Sequence, residues 1–71
     1  MQLSATQVAY LAKLEAEGGP VPAADAFGRL RMSKLLVGRM LDAGAIEKEQ
    51  IDGRSHYRLT QAGITALAQS R

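Results

Sequence analysis

The basic residues of this chain are spread unevenly, and their spacing is its first sign of chemistry. Arg29, Arg31, Lys34 and Arg39 fall within residues 29–39, a stretch without an acid. A second block, Arg54, Arg58 and Arg71, runs from residue 54 onward, again without an acid. Elsewhere the balance reverses. Lys13 is outnumbered by Glu15, Glu17 and Asp25, and Lys48 by Asp42, Glu47, Glu49 and Asp52. Net charge is only +2, so the distribution carries the information and the total does not. Two cationic blocks brought to one side make a surface for a polyanion. Facing apart, they are ordinary solvated arginines.

Catalytic chemistry is poorly served. His56 is the only histidine, and no companion ligands surround it in the sequence as a metal site requires. Ser33 or Ser55 would need an activating base and a pocket that so short a chain can hardly form. With no cysteine, disulfides, iron–sulfur clusters and thiolate zinc sites are excluded. Gly18-Gly19-Pro20 lacks the lysine and spacing of a phosphate-binding loop. The expectation is a protein that is not an enzyme, with no catalytic residue, cofactor or metal. The longest apolar run is far below a membrane span, and MQLSATQ lacks the basic-then-apolar build of a signal peptide. A single cytoplasmic domain over residues 1–71 follows, with room for one core.

Elements must hold the cations in place. Ser4 followed by Gln7 is a capping-box pattern opening a helix to about Glu17, stopped by Gly18-Gly19-Pro20. Leu3, Tyr10, Leu11 and Leu14 lie on one stripe of it, with Gln7 among them, and form its core face. Ala5, Val8, Ala9, Ala12 and Ala16 form a second stripe, small and apolar where a surface helix should be polar. That stripe is either alanine used as a helix former or a contact face for a partner or a second copy. Pro22 suits the first turn of a short helix through Phe27, ended by Gly28. After the turn Arg29-Leu30-Arg31, a third helix runs from Met32 or Ser33 to Ala43, stopped by Gly44. Met32, Leu36, Val37, Met40 and Ala43 share its buried face. Lys34, Leu35, Gly38 and Asp42 lie opposite, with Arg39 on the flank.

Ala45-Ile46 then starts a strand to Ile51, Asp52-Gly53 makes a two-residue hairpin turn, and the return strand ends at Leu59. Thr60 caps a last helix, Gln61–Ser70, buried through Ile64, Leu67 and Ala68. The order is three helices, a hairpin and a closing helix, an α+β fold. Two helices joined by a tight turn make a helix-turn-helix, and the hairpin after them makes a wing. VGRMLDAGAIEKE (37–49) and DGRSHYRLTQAG (52–63), with the LSATQVAYLAKLEAEGGPV opening, resemble the winged helix-turn-helix superfamily. The likeness is strongest to MarR- and PadR-type bacterial transcriptional regulators.

That resemblance implies a small repressor, acting as a dimer on double-stranded DNA, with the third helix in the major groove. The wing would lie on the backbone or in the minor groove. By position, Ser33, Lys34, Leu35, Gly38 and Arg39 are the groove-facing residues, and Leu35 is suited to a thymine methyl. Arg29, Arg31, Arg54 and Ser55 are implied phosphate contacts. A second reading stays open: a winged helix used for protein contact, favoured by Glu47 and Glu49 on the wing and by the alanine stripe. Salt separates the two, because phosphate binding weakens steeply with it and apolar contact does not.

Overall fold

The computed structural model describes residues 3–71. Helix α1 (Ala5–Glu17) opens on the expected capping box, with the Ser4 hydroxyl accepting from the Gln7 amide and the Gln7 side chain accepting from the Ser4 amide. Three further helices follow: α2 (Ala23–Phe27), α3 (Lys34–Asp42) and α4 (Gln61–Gln69). The strands are β1 (Val21–Pro22), β2 (Ile46–Ile51) and β3 (Arg54–Leu59). They form one antiparallel sheet in the order β1-β3-β2.

Strand β1 is a correction to the sequence reading. Pro22 does not open the second helix from within its first turn; it pairs with His56 and then serves as the N-cap of α2. Proline has no amide hydrogen to give a ladder, so it is tolerated on an edge strand, where it stands. Val21, paired with Tyr57, is fully buried. Two residues are too few to show alternation, which is why the pattern alone does not reveal this strand.

Leu11 of α1, Met40 of α3, Ile46 of β2 and Leu67 of α4 are fully buried at the centre. Each contributes on the order of 1.5–3 kcal/mol by leaving water. Among the described residues no buried polar side-chain atom lacks a hydrogen-bond partner. The hairpin turns where expected, with Asp52 and Gly53 at φ of 51° and 77°, the left-handed pair that a tight hairpin turn needs.

The last helix buries Leu67 as expected, but its other inward residues differ. Gly63, Ala66 and Leu67 point inward, whereas Ile64 is 43% exposed and Ala68 is exposed. Ala43, likewise expected to be buried, caps the end of α3 and is exposed. The cause in α4 is contact between two backbones. A Cβ at Gly63 would lie 1.9 Å from the carbonyl oxygen of Ala45, so the helix rides on the β2 entry through its glycine. Gly44 stands at φ 78° and ends α3. Its amide donates to Leu41 O, and the Ala45 amide to Met40 O, each at 3.0 Å, the double closure of a Schellman cap. Thr60 then joins both segments. Its amide donates to Ala45 O at 3.1 Å, its hydroxyl donates to Gly44 O at 2.5 Å, and that hydroxyl accepts from the Gly63 amide at 3.0 Å.

Gly63→Ala is therefore expected to destabilise the fold by about 3 kcal/mol or more, at the upper end of overpacking costs. Urea unfolding of the two proteins measures it, and an unchanged midpoint would remove this contact from the account.

Candidate nucleic-acid interface

Helix α3 begins where two side chains meet its first turn. Ser33 is its N-cap, with the hydroxyl accepting from the Leu36 amide at 3.3 Å. The Ser33 amide donates to the Tyr10 hydroxyl at 2.9 Å, which anchors the start of α3 to α1. Lys13, one turn further along α1, donates to the Leu30 carbonyl at 3.0 Å. The turn between α2 and α3 is also tied by its own backbone. Leu30, Arg31 and Met32 amides donate to Asp25, Gly28 and Ala26 carbonyls at 2.9, 3.1 and 2.8 Å. Arg31 is thereby held at φ 54°, a left-handed conformation that costs a non-glycine residue about 1 kcal/mol.

On α3 itself, Lys34 and Arg39 are exposed, Leu35 is 65% exposed and Gly38 is half-buried. The Lys34 ammonium lies 5.7 Å from the Phe27 ring centroid. Phe27 in turn meets Tyr57 edge-to-face, at 5.8 Å and 79°. This aromatic pair connects α2 to β3 and gives Lys34 a packed base. At the other end of the hairpin, Arg54 is exposed beside the turn. Ser55 accepts from the Gln50 side chain at 2.9 Å across the strands. His56 Nδ1 donates to the Arg54 carbonyl at 2.9 Å, an interaction that orders the wing and uses up that ring nitrogen.

A helix-turn-helix held against α1, followed by a hairpin and a closing helix, has a close counterpart among solved structures. A crystal structure described as that of a probable transcriptional regulator from Pseudomonas aeruginosa is 33% identical, with a TM-score of 0.75. The match covers 94% of this chain and 55% of that one, so the chain spans about half the length of its counterpart. This chain is a winged helix-turn-helix. No protein-family model matches it, and no curated protein does.

In this winged helix the charges are sorted by partner. Arg29 pairs with Glu17, its other guanidinium nitrogen lying 3.2 Å from the second carboxylate oxygen, and reaches Asp25 at 3.4 Å. The hydrogen bond from Arg29 holds the Glu17 carboxyl below its ordinary value. Arg58 bridges Glu47 at 2.5 Å and Glu49 at 3.7 Å across the wing, and those bonds, Glu47 first, raise its already high pKa. Arg71 pairs with Glu15. Five of the seven acids are thus engaged, leaving Asp42 and Asp52. Among the described residues the cations outside ion pairs are Lys13, Arg31, Lys34, Arg39, Lys48 and Arg54.

Four of these six are sequence candidates: Arg31 in the turn, Lys34 and Arg39 on α3, and Arg54 at the wing tip. Arg29, also a candidate, is committed to two carboxylates. The Ser33 and Ser55 hydroxyls accept in a helix cap and a cross-strand bond, which leaves each with its O–H to donate. On the acidic wing strand, which favoured a protein partner, Glu47 and Glu49 share the single guanidinium of Arg58. That pairing was legible in the sequence, since a turn at Asp52-Gly53 sets residue 47 opposite residue 58. The Tyr10 hydroxyl gave no such signal, because its partner is an amide that only the tertiary fold delivers. Of the alanine stripe, Val8 and Ala12 are half-buried against the chain's own core, while Ala5, Ala9 and Ala16 are exposed. A separate open groove of about 340 Å³ lies where α1 ends against β3 and α4, floored by Leu14, Leu59 and Ile64. No group of residues able to hold a metal ion occurs among those described, and no helix there is long and apolar enough to cross a membrane.

Tyr10→Phe keeps the ring and removes only the hydroxyl. The expected loss is about 1 kcal/mol of stability, from the orphaned Ser33 amide. Hydrogen exchange at Ser33 should quicken more than at the centre of α3; equal exchange in both proteins would show that the contact does not hold the helix start.

Proposed function

We propose that this chain is a DNA-binding transcriptional regulator, with α3 lying in the major groove and the wing on the backbone or in the minor groove. One observation carries the proposal. Arg31, Lys34, Arg39 and Arg54, which lie outside ion pairs, fall on the turn, the third helix and the wing tip, while five acids are tied to three other arginines. A surface whose cations lack internal partners is what phosphate binding through counterion release requires. The likeness to a probable transcriptional regulator supports the same reading. Arg29 would contribute less than its neighbours, because binding phosphate means competing with Glu17 and Asp25.

Lys34→Ala and Arg39→Ala are expected to cost about 1–3 kcal/mol each on a selected duplex and much less on random DNA, as lost base-edge contacts do. Arg31→Ala and Arg54→Ala should weaken binding to all duplexes alike and lower the salt slope by about one each. Fluorescence anisotropy across a salt series separates the two classes. Unchanged affinity in all four variants rules this surface out.

We further propose that two copies bind adjacent half-sites, since one domain of this size contacts only a few base pairs. The exposed alanines Ala5, Ala9 and Ala16 let two α1 helices approach closely. Such a contact is at the small end of interface sizes, and its dimer should be weak. Ala9→Glu tests it better than a change at half-buried Val8, because Ala9 lies outside the chain's own core. The wild type is expected to show concentration-dependent dimerisation by sedimentation, and Ala9→Glu to stay monomeric. Identical behaviour of the two makes the stripe a solvated face.

A further inference from the structure

Gly38 and Leu35 depart from what the fold by itself asks of α3. A mid-helix glycine costs about 1 kcal/mol relative to alanine. Gly18, Gly44 and Gly53 adopt positive φ, and Gly63, the other glycine inside an α-helix, has a carbonyl where a Cβ would sit. Gly38 has neither, for its φ is ordinary and a Cβ there would meet nothing within 4 Å. Leu35, one turn earlier, is 65% exposed, the most exposed large apolar side chain among the described residues. Lys34 and Arg39 flank the two, and neither is in an ion pair. An apolar knob and an empty notch, one turn apart on a cationic helix, describe a surface shaped for something outside the chain.

Resting on the DNA-binding reading, we infer that Leu35 and Gly38 together set sequence preference: Leu35 packs on the C5 methyl of a thymine, and Gly38 admits the closest approach of the helix to the groove floor. The major groove presents that methyl, and it is the one apolar group a base edge offers there. Lys34 and Arg39 on either side reach hydrogen-bonding base edges, and the apolar contact adds discrimination for the methyl that they do not read. The glycine works by having no side chain, since a methyl group at residue 38 would hold Leu35 away from the base.

The test uses a duplex selected from a random pool by the wild-type chain, with each thymine replaced in turn by uracil, which removes only the methyl. At one position this should weaken wild-type binding about fourfold, the transfer worth of one buried methyl. The same replacement should leave Leu35→Ala binding unchanged. Gly38→Ala should melt at a higher temperature than wild type, yet bind the selected duplex about fivefold or more weakly, as an overpacked contact does. The inference is overturned if no uracil replacement matters, if Leu35→Ala loses as much as wild type, or if Gly38→Ala binds equally well. Specific binding without methyl dependence removes this inference alone. Failure of the pool to yield any preferred duplex removes the DNA-binding reading and this inference together.

Discussion

The fold depends on a backbone-to-backbone contact between the exit of α3 and the entry of α4. Gly63 sits against the carbonyl of Ala45 with no room for a side chain, and Thr60 hydrogen-bonds both partners. Because of this contact the hairpin leaves and returns at one point. A wing anchored at its base can be long and exposed at its tip without a core of its own. The same contact rotates α4 so that Ala66 and Leu67, and not Ile64, meet the core. The run Tyr-x-Leu-Thr-x-x-Gly at 57–63 is thus a joint: a buried aromatic, a strand residue, a cap that also donates sideways, and a glycine that fits beneath a carbonyl.

A second set of contacts points α3. Tyr10 holds its first amide, Lys13 holds the preceding turn, and Val37 and Met40 bury its inner face. Each of these acts from the inner side or the N-terminal end. The outer side is left with Lys34, Leu35, Gly38 and Arg39, which the fold uses only through the contact of Lys34 with Phe27. A helix oriented by one face and unused on the other can vary its outer residues without loss of the fold. This is the arrangement a reader of base edges needs.

Charge pairing sharpens the surface. Three arginines are tied to five carboxylates, and the remaining cations stand mostly on the turn, α3 and the wing tip. These exposed pairs contribute little to stability, since solvent screens them. Their effect is on the field: three guanidiniums offset part of the charge of five carboxylates around α1 and along the wing, and so lessen the repulsion of a polyanion.

Much of this was legible along the chain, because it rests on short-range chemistry. The capping box at Ser4 and Gln7, the stops at Gly18 and Gly44, the Asp52-Gly53 turn and the Thr60 cap are each set by residues within a few positions. So is the pairing of Arg58 with Glu47, once the turn sets the register. The blocks of basic residues were equally plain. What only the tertiary structure decided involves segments distant in sequence. Strand β1 exists because β3 offers an edge to two residues that show no pattern alone. Ile64 stays outside because Ala45 sets the rotation of α4. Arg29 is engaged and Arg31 is not, since Glu17 and Asp25 converge on one side of the turn. The candidate residues were written in the sequence, but which of the cations stand outside ion pairs was decided by packing and pairing across the fold.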